Sequence, residues 1–233
     1  MNQPFQNIDL SVGYGSGLSQ EQRHRVLRNT YWLLALSLVP TVLGAWIGVA
    51  TGLFRTMSPG LSALVFFVGA FGLMFVIERT KESAAGVAAL LGFTFFMGLM
   101  LSRLIGFVLG FKNGTSLVMT AFGGTAAVFF TMASLATVIK RDLSSMGKFL
   151  VVGAVILMVA GIANIFLQSS TLMLTMLVMS LAIFSAFMLY DIKRVVDGGE
   201  TNYISATLAI YLDVYNVFQS LLSLLGIFGG DRE

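Results

Sequence analysis

Apolar residues along this chain gather into seven long blocks separated by short polar stretches. The blocks run approximately over Thr30–Leu53, Leu61–Ile77, Ala84–Leu109, Leu117–Ile139, Phe149–Leu167, Leu172–Tyr190 and Tyr203–Phe228. A helix needs about 20 apolar residues to cross the roughly 30 Å of hydrocarbon in a bilayer, so each block reads as a transmembrane helix. Turn chemistry punctuates them at Met57-Ser58-Pro59-Gly60, Lys112-Asn113-Gly114 and Asp197-Gly198-Gly199. The expected organisation is a polar, flexible cytoplasmic tail over 1–29, a seven-helix membrane domain over 30–228 and a short tail over 229–233. No apolar stretch in the first 29 residues could serve as a cleavable signal.

Composition agrees with the pattern. Hydrophobic residues make up 57% of the chain and charged residues 11%, with a mean hydropathy of +0.88, against about 25% charged in soluble domains. The pI near 9.3 does not indicate a nucleic-acid binder, because the 14 Lys and Arg are scattered between apolar blocks. They orient the helices instead. With the N-terminus inside, Arg23, Arg25, Arg28, Arg79, Lys81, Lys140, Arg141, Lys148, Lys193 and Arg194 face the cytoplasm, leaving only Arg55, Arg103, Lys112 and Arg232 outside. Small residues such as Gly123-Gly124-Thr125-Ala126-Ala127, and Gly153 with Gly161, are read as helix-packing positions.

The chain has no cysteine and one histidine, His24, placed before the first span. Thiol chemistry, a serine–histidine dyad and a multi-histidine zinc site are thereby excluded. The Gly-x-Gly in Gly13-Tyr14-Gly15-Ser16-Gly17 follows no strand and reads as tail.

Asp213 carries the most information. It lies about ten residues, or roughly 15 Å, into the last span, and an intramembrane acid is a functional hypothesis by default. The alternative is a protonated acid hydrogen-bonded to a neighbouring helix. Ala206, Ala209, Asp213, Asn216, Ser220 and Ser223 recur at spacings of three and four, forming one small, polar stripe. That stripe suits either a polar path or close packing. Asp191 ends the sixth span at a depth similar to Arg79 on the second, so an Arg79–Asp191 latch is one expectation and a solvated loop charge the other. If Asp191 and Asp213 approach, they would share a proton, act as a pH sensor and, when ionised, offer oxygens to Ca²⁺. Two acids on successive helices also suit an intramembrane aspartyl protease, but Ile210-Tyr211-Leu212 precedes Asp213 where those enzymes have Gly-x-Gly, and no proline follows Pro59. The chain is therefore expected not to be an enzyme and to hold no resident cofactor.

Val26-Leu27-Arg28-Asn29-Thr30-Tyr31, Phe71-Gly72-Leu73-Met74-Phe75, Gly123-Gly124-Thr125-Ala126, Gly198-Gly199-Glu200-Thr201-Asn202-Tyr203-Ile204 and Leu212-Asp213-Val214-Tyr215-Asn216-Val217-Phe218 together resemble the Bax inhibitor-1 family, in its bacterial YccA-type branch. The resemblance covers nearly the whole chain. It implies six helices around a central last helix in a bacterial inner membrane. It also implies a pH-sensitive calcium leak gated by paired aspartates, here Asp191 and Asp213, with Arg79 as the matching basic partner. A second role it implies is modulation of a membrane-anchored quality-control protease, or stress and cell-death regulation, through protein contacts in which the N-terminal tail takes part.

Overall fold

A computed structural model describes residues 20–52 and 57–230. Among these residues the fold is all-helical. In order the helices are α1 (Gln20–Thr51), α2 (Pro59–Thr80), α3 (Ala84–Val108), α4 (Gly114–Val138), α5 (Ser144–Leu167), α6 (Ser170–Val196) and α7 (Tyr203–Phe228). All seven are long and apolar enough to cross a membrane. The expected tail residues 1–19, Arg55 and Arg232 lie outside the described residues.

Local chemistry fixes several helix starts. Ser58 caps α2 by accepting from the Leu61 amide at 3.3 Å, with Pro59 opening the helix where its missing N–H costs nothing. Ser169 caps α6 through the Leu172 amide at 3.2 Å. Asn202 caps α7 twice, through the Ile204 and Ser205 amides at 2.9 and 3.0 Å. α1 begins ten residues before its apolar block, so Gln20–Asn29 is helix rather than tail. This segment is rich in Glu, Gln and Arg, which favour helix even in water.

The last helix occupies the middle of the bundle. α7 packs on α6, α4, α1 and α3 and more lightly on α2, while α5 rests on α6 and lies outside the helices that surround α7. Ile210, Tyr211 and Val217 of α7 are buried in one cluster with Leu90, Phe93 and Met97 of α3, and Leu222 in a second with Val108 of α3 and Leu117 and Ala121 of α4. Tyr211 bonds Thr41 of α1 at 2.8 Å. Its hydroxyl and that of Tyr215 reach the Thr94 and Met97 carbonyls of α3 at 3.4 Å. Asparagines hold both ends of α7: Asn202 donates to the Lys81 carbonyl at 3.0 Å, and Asn113 donates to the Gly229 carbonyl at 2.6 Å. The outer faces are apolar, with Phe166 82% exposed on α5, as lipid demands.

α1 and α3 approach closely through glycine. A Cβ added to Gly98 would fall on the Thr41 backbone, and one on Gly44 would fall on that of Phe95. Close backbone approach is how helices associate where water supplies no driving force.

Candidate functional site: a buried acid pair beneath a charged cavity

Asp213 is buried in the centre of the bundle, 3% exposed. Its carboxyl forms a side-chain hydrogen bond with that of half-buried Asp191 on α6. The structure thus brings together the two acids singled out in the sequence. A bond between two carboxyl groups requires one of them to carry a proton, since ionised carboxylates only accept. The second Asp213 oxygen, Oδ2, has no partner among the described residues.

Asp191 opens onto a cavity of about 270 Å³ at the basic-rich end of the bundle, lined also by Glu78, Arg194, Glu200, Ser205 and Ala209. Arg194 bonds Glu200 Oε2 at 3.3 Å. Glu200 Oε1 accepts from the Thr201 and Asn202 amides, each at 3.0 Å. The positive charge of Arg194 acts on Asp191. Ser205 Oγ is buried without a partner among the described residues.

The α6–α7 loop roofs this cavity. Gly198 adopts φ +79°, in the left-handed region that glycine enters without steric cost, and the Gly199 amide returns to the Arg194 carbonyl at 2.8 Å. Asn202 ties the loop to the α2–α3 turn through the Lys81 carbonyl and Glu82 Oε1, both at 3.0 Å. In that turn Lys81 pairs with Glu78 at 2.5 Å, and this hydrogen bond raises the Lys81 ammonium above the ordinary lysine value.

The expected Arg79–Asp191 latch is not formed. Arg79 is exposed, with its guanidinium 5.0 Å from the Phe75 ring centroid. Adjacent helical residues point about 100° apart, so only one of Glu78 and Arg79 faces the cavity, and it is Glu78. The cation beside Asp191 is Arg194, which sequence reasoning missed. Its signal was the spacing of three on α6, which puts both residues on one helix face.

The polar stripe beyond Asp213 makes separate contacts. Asn216 bonds back to the Leu212 carbonyl at 2.8 Å, Ser220 reaches Ser180 of α6 at 3.0 Å, and Ser223 is half-buried. Neighbouring Val217 and Leu222 are buried as deeply. The stripe is therefore one part of a helix covered on nearly all sides. Among the described residues no group of three or more His, Asp or Glu could hold a metal. Asp191 and Asp213 carry four carboxyl oxygens between them, against the six to eight oxygen ligands that Ca²⁺ takes from protein and water together.

Residues 23–230, which hold this whole arrangement, match the family described as inhibitor of apoptosis-promoting Bax1. The chain belongs to the Bax1-I family. It is 38% identical over 208 residues to the modulator of FtsH protease YccA of Escherichia coli K12, covering 89% of this chain and 92% of that protein. The corresponding protein of E. coli O6:H1, named inner membrane protein YccA, is equally similar. An uncharacterised protein of Pseudomonas aeruginosa is 36% identical over 212 residues, 91% of this chain and 93% of that one. As a Bax1-I member with seven spanning helices, the chain is a multi-pass inner-membrane protein.

Proposed function

We propose that this protein regulates a membrane-anchored quality-control protease by binding it, and does no catalysis of its own. The observation that carries this reading is its 38% identity, across 92% of the relative's length, to a protein named as a modulator of the FtsH protease. The N-terminal residues and the polar extension of α1 supply the contact. Because α1 is described from Gln20, the informative truncation removes residues 1–19 only and keeps all of Gln20–Thr51. The full chain, co-reconstituted with such a protease, should slow or redirect turnover of a membrane substrate, and the truncated chain should not. Equal turnover with and without the full chain would refute the reading. The same mode of action extends to stress or cell-death regulation through other partners.

A second reading is favoured by the acid pair itself: a pH-sensitive Ca²⁺ leak in which Asp191 and Asp213 gate passage from the cavity into the bundle. Protons and Ca²⁺ would compete for the same oxygens, with Ca²⁺ as cargo. Flux into dye-loaded proteoliposomes between about pH 5 and 8, the range in which coupled carboxyl groups can titrate, should depend on pH in the wild type and lose that dependence in Asp213→Asn. No flux above protein-free vesicles at any pH would refute it.

A further inference from the structure

A second cavity, with a lining separate from that of the acid pair, lies on the outer face of α1 at the basic-rich end. It is a shallow, open groove of about 610 Å³ lined by His24, Leu27, Arg28, Tyr31 and Trp32, all on α1. The residues fall in helical register. His24, Arg28 and Trp32 follow one another at intervals of four, and Leu27 and Tyr31 form the parallel row. The Arg28 cation and the His24 imidazole therefore stand at the top of the groove, and an apolar floor lies about 6 Å beneath, one helical turn deeper.

Its parts are arranged as a receptor. Arg28 and His24 are exposed and form no ion pair or hydrogen bond among the described residues. The nearest acid on this helix, Glu21, is engaged by Arg25 at 3.5 Å. The floor is braced from behind, since the Tyr31 ring meets Phe129 of α4 edge-on at 6.0 Å. Trp32 is 73% exposed, and tryptophan is the residue that settles at the boundary between headgroups and acyl chains.

We infer that this groove binds one acidic phospholipid of the cytoplasmic leaflet, its phosphate held by Arg28 and His24 and an acyl chain lying on Leu27, Tyr31 and Trp32. Charge complementarity selects an anion. The apolar floor selects a lipid over a soluble anion or an acidic peptide, because the floor descends into the span that begins near Thr30, where only a molecule with a polar head and a hydrocarbon tail satisfies both halves.

Trp32 is its own reporter. The chain has two tryptophans, so Trp46→Phe leaves Trp32 alone, and its fluorescence can be quenched by phospholipids brominated on the acyl chain. In phosphatidylcholine vesicles, brominated phosphatidylglycerol should out-compete brominated phosphatidylcholine at Trp32. The expected preference is roughly fivefold, the effect of one basic residue near an anionic leaflet. Arg28→Gln should bring the ratio close to one, and Arg28→Lys should keep most of it. Arg141→Gln, which removes a charge on the same membrane side outside the groove, should keep it all. Helical content by circular dichroism confirms that each variant is folded. A wild-type ratio of one would overturn the proposal and leave the groove to an acidic segment of a protein partner. So would an Arg28→Gln ratio equal to wild type, or an equal loss in Arg141→Gln.

Discussion

Replacing Gly98 by alanine tests whether the α1–α3 contact sets the frame that holds α7. A Cβ at Gly98 would stand 2.8 and 2.9 Å from the carbonyl carbon and Cα of Thr41, and closer still to its oxygen. Ordinary contact begins at 3.4 Å, so the carbonyl carbon alone requires the helices to part by 0.6 Å, the difference between 3.4 and 2.8, and the closer oxygen requires more. Backbone cannot rotate aside as a side chain would. Overpacking of this kind costs about 1–3 kcal/mol, and Thr41 is also the residue whose hydroxyl bonds Tyr211 of α7 at 2.8 Å. A loss of ~2 kcal/mol corresponds to a fall in Tm of roughly 4–8 °C for a domain of this size. The assay is thermal unfolding in detergent followed by circular dichroism. Gly72→Ala is the matched control, because a Cβ there meets nothing within 4 Å; it should leave Tm unchanged or raise it slightly, as alanine is about 1 kcal/mol the better helix former. A Gly98→Ala protein as stable as Gly72→Ala would refute the close-packing argument.

Further outcomes follow from named contacts. Asn202→Ala removes the α7 cap and both bonds to the α2–α3 turn; it should cost about 2 kcal/mol in unfolding measurements, with Asn202→Ser recovering the capping share of about 1 kcal/mol. Ser220→Ala and Ser180→Ala should each cost about 0.6 kcal/mol, and the double variant no more than either alone, because they break one interhelical bond. The Ser144 hydroxyl and amide hold the Asp142 carboxyl below the ordinary aspartate value. A depressed folded value means that this contact stabilises the fold above the ordinary value and is lost as pH falls through the folded one. Ser144→Ala should shift the Asp142 titration upward, as read by carboxyl carbon NMR.

What the sequence revealed, and what it hid, divides along a physical line. Spans declare themselves because hydrocarbon tolerates only long apolar runs, and the block Tyr203–Phe228 coincides with α7. Helix continuing into water leaves no such mark. α1 therefore starts at Gln20 rather than Thr30, and α6 runs on to Val196 beyond Tyr190, carrying Lys193 and Arg194. The acid pair was legible as two residues whose types and depths are costly in lipid, but not as a contact, since separation depends on helix rotation. Depth alone matched Arg79 to Asp191; rotation put Glu78 there and left the pairing charge to Arg194. The polar stripe on α7 was real as a pattern but carried less than it promised, because a helix packed on nearly all sides buries apolar and polar faces alike.

The two functional readings occupy the same end of the molecule, and one glycine joins them. The α6–α7 loop that roofs the acid cavity turns at Gly198, and Arg23, on the polar extension of α1, lies so close that a Cβ on Gly198 would stand 2.8 Å from its Nε. A partner that engages the chain's N-terminus pulls on the helix that bears Arg23, three residues after Gln20. Any displacement there is felt by the loop, whose other anchors are the Asn202 bonds and the Arg194–Glu200 pair beside Asp191. Binding and proton occupancy need not be rival functions on this geometry. If they are linked, the linkage must be reciprocal: a partner that shifts the protonation of the acid pair binds with an affinity that depends on pH by the same factor. Measuring partner affinity across pH in wild type and in Asp213→Asn separates the cases, because a pH dependence that survives loss of the acid originates elsewhere on the interface.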